Sequence, residues 1–391
     1  MIAPAALDGV RVLDLTRYLA GPYCTMLLAD MGADVVKLEP PQGGREFAEH
    51  GEAARYFFLS VNRNKRSATL DLHHAAGRAA FLRLAERADV VVENFRPSVM
   101  PALGLGAAAL CRHNPRLIYC GISGFGADGP EAERPGFDQI AQGRSGLMSI
   151  TGTHEPTRVG IAIADILAGL FAAQGIATAL YHRERTGAGQ VVNTSLLEAA
   201  VGVLSWSAGI YFATGRPPDV AGNHHPLTAP YGAHRARDRT FNIACANARQ
   251  WQALCDAIGA PQLVEDARFA TPDARIVHRA DLTAALEAYL VTRDAAAWVD
   301  ALNDAGVPSG LIQNVAEVFR DPQVLARDMY VELPHPSLGV FKTTGAPVKL
   351  SASPAAIARV PPAKGADTEA VYAEYGFDAA DLAQLRAVGA I

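Results

Sequence analysis

A carboxylate inside an apolar helix demands a chemical reason, because an ionised group is costly to take out of water. Asp165 stands in such a place. Val159–Tyr181 is 23 residues long and nearly all apolar, with Asp165 and Gln174 inside it. Two readings are open. Asp is a preferred N-cap, and Asp165 sits where a helix should begin. Alternatively, the positive end of that helix stabilises the carboxylate by up to about 1–2 kcal/mol and keeps it ionised at neutral pH, as a carboxylate nucleophile requires. Asn94-Phe95-Arg96 offers an amide, a ring and a guanidinium, a set suited to a nucleotide and its phosphate, although a polar loop uses the same residues. Asn62-Arg63-Asn64-Lys65-Arg66 carries three positive charges, a solvated face by default and a phosphate-steering patch otherwise. His224 and His225 in Gly222-Asn223-His224-His225-Pro226 lack helical ligand spacing, so no metal is expected. The first strand is followed by Leu19-Ala20-Gly21-Pro22 rather than by a G-x-G-x-x-G fingerprint, Gly104-Leu105-Gly106 follows no strand, and no P-loop, G-x-S-x-G nucleophile elbow or H-E-x-x-H motif occurs.

These residues need elements to position them. Val10–Thr16 reads as a strand, followed by a helix from Pro22 to about Met31 that Gly32 ends. Asp34–Glu39 is a second strand, and Ala75–Arg87 a helix by the 3.6 spacing of its apolar residues. Asp89–Glu93 and Arg116–Ile122 are further strands. Strands alternating with helices indicate βαβ units and a parallel sheet, whose ligands sit beyond the strands' carboxyl ends. The residues there are Arg17-Tyr18-Leu19-Ala20, Pro40-Pro41, Asn94-Phe95-Arg96 and Ser123-Gly124-Phe125-Gly126. A helix from Asp165 to about Arg185 precedes a strand at Gln190–Asn193 and a helix at Leu196–Tyr211. Thr214–Pro230, rich in Gly, Pro and His, marks a boundary. Beyond it, a strand at Phe241–Ala244 and helices at Arg249–Ile258, Leu282–Leu290 and Asp294–Ala305 read as a small α+β domain. The expected division is 1–213 for the first part of a large domain, 214–230 for a linker, 231–314 for the small domain, and 315–391 for a return linker and the rest of the large domain.

Composition narrows the class. The chain has 391 residues, half of them hydrophobic and 19% charged, with 35 Lys and Arg against 40 Asp and Glu, a net charge of −5. That excludes intrinsic disorder, and without a basic block no nucleic-acid partner is expected. Val159–Tyr181 has spanning length, but a central Asp costs on the order of 3 kcal/mol in a bilayer. A helix buried in a globular domain, with no membrane partner, is the reading. Five cysteines without a C-x-x-C pair read as reduced, mostly buried thiols of a cytoplasmic protein, and the N-terminus shows no signal-peptide pattern.

Longer stretches carry a resemblance. LDGVRVLDLTRYLAGPYCTMLLADMGADVVKLEPP, ADVVVENFRPSVMPALGLG, LIYCGISGFGADGPEAERPGFDQIAQGRSGLMSITG and ADILAGLFAAQGIATALYHRERTGAGQ follow the order of the class III CoA-transferases. That family includes formyl-CoA transferase, carnitine CoA-transferase and α-methylacyl-CoA racemase. SVNRNKRSATLDL and AGVPSGLIQNVAEVFRDPQV are similar to it too. The resemblance implies an α/β fold: a Rossmann-like large domain and a small α+β domain forming a ring-shaped subunit in an interlocked homodimer. It implies a catalytic aspartate at Asp165, within Ala164-Asp165-Ile166. Expected CoA-contacting positions are Tyr18, Leu19, Ala20, Leu70, Asn94, Phe95 and Arg96, with Phe137 and Asp138 beside the carboxylate. Arg17, directly after the first strand, joins them. The implied co-substrate is a coenzyme A thioester, with no other cofactor.

The departures from the family pattern also inform. Pro40, His73 and Ala102 stand where some members have basic residues, so the phosphate grip falls to Arg96 and the basic stretch. Racemases place a His where this chain has Phe137, which cannot move a proton. Transfer is therefore favoured over racemisation or epimerisation of a 2-methylacyl-CoA. The overall pattern looks most like the branch that takes CoA from succinyl-CoA to a dicarboxylate such as glutarate or itaconate, with a formyl-CoA:oxalate-type transferase as the other reading. A second substrate carboxylate needs a cationic or amide partner, for which His225, Arg45 or Arg17 could serve. Gly222–Pro226 is the candidate for a loop that closes over the site.

Overall fold

A computed structural model of the chain describes residues 4–45 and 51–391. It divides into two compact units, one of residues 1–147, 158–213 and 322–391, the other of residues 148–157 and 214–321. The first unit is built on a six-stranded parallel sheet of β1 (Arg11–Asp14), β2 (Asp34–Glu39), β3 (Arg66–Thr69), β4 (Val90–Glu93), β5 (Ile118–Ser123) and β6 (Val191–Ser195), in the order β3-β2-β1-β4-β5-β6. Its helices are α1 (Ala20–Asp30), α2 (Glu52–Ser60), α3 (Ala75–Arg87), α4 (Val99–Ala102), α5 (Ala107–His113), α6 (Asp138–Arg144), α7 (Ile163–Thr186), α8 (Leu196–Gly202) and α9 (Ser205–Thr214).

Period-2 alternation along the strands builds two cores, one on each face of the sheet. Val12, Val35, Val90, Val92, Ile118 and Cys120 face α1, α7 and α8. Leu13, Val36, Val91 and Tyr119 face α3, α5 and two C-terminal helices at Thr368–Glu374 and Ala379–Ala387. The strand order reverses between β1 and β4, and the crevice beyond their carboxyl ends is where such sheets take ligands. An antiparallel hairpin, Tyr330–His335 with Gly339–Thr344, also belongs to this unit.

Two sequence expectations change. The helix around Asp165 is buried along one face only. Ala164, Ala168, Ala172, Ile176 and Ala179 are buried, whereas Leu170, Phe171 and Tyr181 are exposed. Among the described residues α7 alone has the length and apolarity of a membrane span. The single helix expected over Leu196–Tyr211 is two, α8 and α9, bent by 68° at a break where Ser205 takes a left-handed φ of 44°.

The second unit holds a three-stranded antiparallel sheet, Tyr231–Arg235, Thr240–Ala244 and Ser309–Leu311. Four helices cover it, at Ala248–Ala257, Pro272–Val277, Arg279–Leu290 and Ala295–Asp304, around a core of Phe241, Trp251, Phe269 and Trp298.

Candidate active site

The crevice at the strand-order reversal is walled by the β1–α1 connection. Asn94, just past β4, holds that connection from both sides. Its amide oxygen accepts from Arg17 N at 2.8 Å and its amide nitrogen donates to Arg17 O at 2.7 Å. Each end of the Asn94 amide thus holds backbone, leaving its second N–H and second lone pair for a ligand. The next residue, Tyr18, has a φ of 63°, a conformation that costs a non-glycine residue on the order of 1 kcal/mol or more. The turn throws its ring out of the crevice wall, 58% exposed, where it meets the 61% exposed ring of Phe137 edge-on with centroids 5.8 Å apart. Two adjacent exposed aromatic rings form a platform in which Phe137 has no group to carry a proton.

Phe137 caps α6 and Asp138 begins it. The Asp138 carboxylate is buried. It accepts from Ala164 N at 2.9 Å and from the Gln142 amide at 2.8 Å. The Gln142 side chain in turn accepts from Val159 N at 2.9 Å, so α6 anchors the chain entering α7. The N-cap of α7 is Ala162, and Asp165 is the third residue of the helix, which corrects the N-cap reading. The Ala20 amide, at the start of α1, donates to the Asp165 carboxylate. Helix dipole and amide both favour the charged form, yet burial first, and the neighbouring charge of Asp138 second, push its pKa up to about 7. The sequence reading had Asp165 fully ionised at neutral pH. Its pKa lies up at about 7 instead, because burial first and the Asp138 charge second outweigh the amide, and neither effect follows from local residue order.

The amide of Ala20 reaches Asp165 because α1 and α7 cross closely at Gly169. A Cβ there would lie 2.5 Å from Ala20 O and 3.2 Å from the Tyr23 ring. Gly169→Ala is therefore expected to push the start of α1 off α7. It should cost about 1–3 kcal/mol of stability, the range for overpacking, and lower transfer activity even in the folded fraction. Thermal melts with rates at saturating substrate check this. An unchanged Tm and rate would mean that the crossing yields freely.

Beside the platform a cavity of about 200 Å³ opens between the ends of β1, β2 and β4. Leu15, Leu38, Pro40, Leu70, Leu72 and Phe95 give it apolar walls, and Thr16, Arg17, Lys37, Glu39, Asp71 and His73 polar ones. Leu70 is buried and Leu19 nearly so, whereas Arg96 stands exposed next to Phe95. Of the residues expected at the site, Tyr18 meets Phe137, and Ala20 and Asp138 meet Asp165, while Arg17, Leu70 and Phe95 line the cavity.

The basic stretch is not a phosphate patch. Arg63 is buried in an ion pair with Asp30 at 2.7 Å, and Lys65 in one with Asp14 at 3.0 Å. Arg66 bridges Asp34 and Glu374. Arg45, a candidate for a substrate carboxylate, is held by Glu39 and stacks 4.1 Å over Phe58. Each cation answers a carboxylate supplied by another element, which residue order does not show. Two further residues of the crevice escaped the sequence reading. Gln142 works only through contacts distant in sequence. Glu93, its pKa pushed up to about 7 by burial, accepts from Phe95 N at 2.8 Å and Tyr119 OH at 3.1 Å. Among the described residues no three His, Cys, Asp or Glu side chains form a metal cluster. All five cysteines are free.

Comparison with known proteins bears on this geometry. The model of "CoA-transferase family III" matches residues 7–368, nearly the whole chain. The chain belongs to family III of the CoA-transferases. The acetyl-CoA:oxalate CoA-transferase of Acetobacter aceti is 43% identical over 350 residues, 88% of this chain and 89% of that one. The succinyl-CoA:mesaconate CoA-transferase of Haloarcula marismortui is 41% identical over 360 residues, 88% of this chain and 90% of that one. Among solved structures, a CAIB/BAIF family protein from Brucella suis has a TM-score of 0.85 at 38% identity, covering 95% of this chain and 100% of that one. As a family III CoA-transferase the protein takes CoA thioesters as co-substrates and carries CoA from one carboxylic acid to another.

Proposed function

We propose that this CoA-transferase moves CoA from succinyl-CoA to a second dicarboxylic acid, glutarate or itaconate in size, with Asp165 as its nucleophile. One observation carries the reading. A partly buried carboxylate receives a backbone amide at a helix start, at the strand-order reversal where an exposed aromatic platform and a cavity with both apolar and charged walls also lie. The Asp165 carboxylate attacks the donor thioester carbonyl, giving a mixed anhydride and expelling CoA thiolate. The thiolate attacks the aspartyl carbonyl of the anhydride, giving an aspartyl-CoA thioester and releasing succinate. The acceptor carboxylate attacks that thioester, forming a new anhydride and freeing the thiolate again. Thiolate attack on the acceptor's acyl carbonyl completes the new CoA ester and returns Asp165 as a carboxylate. Tyr18 and Phe137 keep water from the intermediates, which hydrolyse readily.

On this reading Tyr18, Leu19, Ala20, Leu70 and Phe95 contact CoA, and Arg17 or Arg96 meets its phosphates or the acceptor's far carboxylate. Asn94 and Asp138 hold the walls. The working unit is an interlocked homodimer of ring-shaped subunits in the cytoplasm, with 214–230 and the chain after 315 as linkers. The exposed apolar residues of α7 and α9, Leu170, Phe171, Tyr181, Trp206 and Phe212, lie against the second copy.

A second reading takes oxalate as the acceptor and a smaller acyl-CoA as donor, favoured by the name of the Acetobacter relative. Succinyl-CoA, acetyl-CoA and formyl-CoA tested against oxalate, glutarate and itaconate, with products followed by mass spectrometry, separate the two. Preferred transfer from succinyl-CoA to a five-carbon diacid supports the first reading. Preferred transfer to oxalate replaces it. Phe137 at the platform disfavours a racemase, which would exchange the α-proton of a 2-methylacyl-CoA in heavy water without an acceptor.

Arg96→Ala is expected to weaken acyl-CoA binding by about 1–3 kcal/mol, the range for hydrogen bonds to charged groups, seen as a rise in KM with little change in kcat. An unchanged KM moves the phosphate grip away from Arg96, and not to Arg63, Lys65 or Arg66, which are engaged inside the fold.

A further inference from the structure

Three buried ionisable side chains lie beneath α1, on the same face of the sheet: Asp14, Lys37 and Lys65 are 0%, 4% and 2% exposed. As a stabilising device such a cluster is poor, since apolar residues of similar volume often do as well or better. Its hydrogen bonds converge instead on one short segment. Lys37 Nζ donates to Thr16 O at 2.7 Å. Asp14 Oδ1 accepts from Thr16 N at 2.8 Å and from the Thr16 hydroxyl at 2.5 Å. Lys65 Nζ donates to Asp14 Oδ2 at 3.0 Å, to Pro22 O at 2.9 Å and to Asn62 Oδ1 at 2.8 Å. Thr25 Oγ1 closes the cluster on Asp14 Oδ2 at 2.7 Å. From the other side Asn94 clamps Arg17.

The fixed points are therefore Thr16, Arg17 and Pro22. Between them lie Tyr18, in its left-handed conformation, and Ala20, whose amide meets Asp165. A strained residue persists only where its surroundings over-determine it. We propose that Lys37 and Lys65 are positioning residues of the transfer reaction: from beneath the β1–α1 connection they hold the Ala20 amide against the Asp165 carboxylate. This rests on Asp165 being the nucleophile.

The consequence has a definite sign. The Ala20 amide lowers the pKa of Asp165, opposing burial and the charge of Asp138 on α6. Without Lys37 the Thr16 carbonyl is released, the connection relaxes, the amide withdraws and the pKa of Asp165 rises. Groups facing Lys37 are Asp14 on β1, Lys65 before β3 and Glu39 on β2; Cys24 on α1 faces Asp14 and Lys65.

The test is the pH dependence of kcat in the wild type and in Lys37→Met. The acid limb of the variant is expected to move up by about one unit, which lowers activity about fivefold at pH 7 and restores much of it at higher pH. A lysine that only stabilised the fold would lower Tm and leave the limb in place, and that result overturns the proposal. If Lys37→Met does not fold, Lys37→Arg keeps the charge beside Asp14 while its longer, planar head displaces the Thr16 carbonyl. The same upward shift is then expected, and a limb coinciding with the wild type again overturns it. Asp165→Asn measured alongside separates the two claims. If it retains transfer, the nucleophile assignment falls. If it is inactive and the limb of the folded lysine variant does not move, the positioning role alone falls.

Discussion

Asp165→Asn folds like the parent chain and loses CoA transfer by a factor on the order of 10⁶, the scale seen when a covalent nucleophile is removed. Asn keeps the shape of Asp and can still accept the Ala20 amide, so geometry is preserved while the attacking oxygen is gone. Wild-type activity should rise with pH through about 7, where Asp165 ionises. The same pKa sets a stability signature. Unfolded Asp titrates near about 3.9, so between about 4 and 7 the folded state binds the extra proton and loses stability as pH rises. The side-chain amide of the variant cannot titrate. The variant's Tm should therefore gain on the wild type between pH 5 and pH 8, with the gain complete above 7. Denaturation scans at the two pH values, with single-turnover assays, check both parts. Transfer within about tenfold of wild type would falsify the nucleophile, and a Tm difference that stays constant between pH 5 and pH 8 would mean Asp165 is ionised throughout.

Arg63→Met carries the second large effect, on stability rather than chemistry. Arg63 and Asp30 are each about 1% exposed, and Arg63 grips both carboxylate oxygens, at 2.7 Å from one nitrogen and at 3.1 and 3.2 Å from another. A further nitrogen donates to Thr344 O at 2.7 Å and Thr343 Oγ1 at 2.9 Å, tying α1 to the hairpin strand Gly339–Thr344. Removing one partner of a buried pair leaves the other charge without compensation, at a cost of about 3–5 kcal/mol. Among the described residues the Asp30 carboxylate would retain only the Asn64 amide at 2.8 Å. Urea titration of Arg63→Met should show this loss, whereas the KM for acyl-CoA in the folded fraction stays as in the wild type. A stable variant with weakened acyl-CoA binding would return the basic stretch to the phosphate site.

Several elements were legible from residue order with their bounds: β2 at Asp34–Glu39 and α3 at Ala75–Arg87 came out as the periodicity places them. The tail was not. Thr368–Glu374 and Ala379–Ala387 are short helices held by packing against α3, and such pieces carry little local signal. At the site the residues after each strand were legible as a group, because a parallel sheet presents them at one end. Their individual tasks were not. Asn94 also clamps backbone, and Lys65 looked solvated and is buried.

Residue order thus determined the α/β class, the family pattern, the conspicuous Asp165 and the absence of a proton carrier at Phe137, all properties of residue type and spacing. The tertiary structure decided which cation meets which carboxylate, how far Asp165 is ionised and which face of α7 is left exposed. The physical reason is range. Propensity and periodicity act between neighbours, whereas an ion pair, a buried charge or a pKa depends on what another element brings within a few ångströms, as Asp138 does for Asp165 and Asp14 for Lys65.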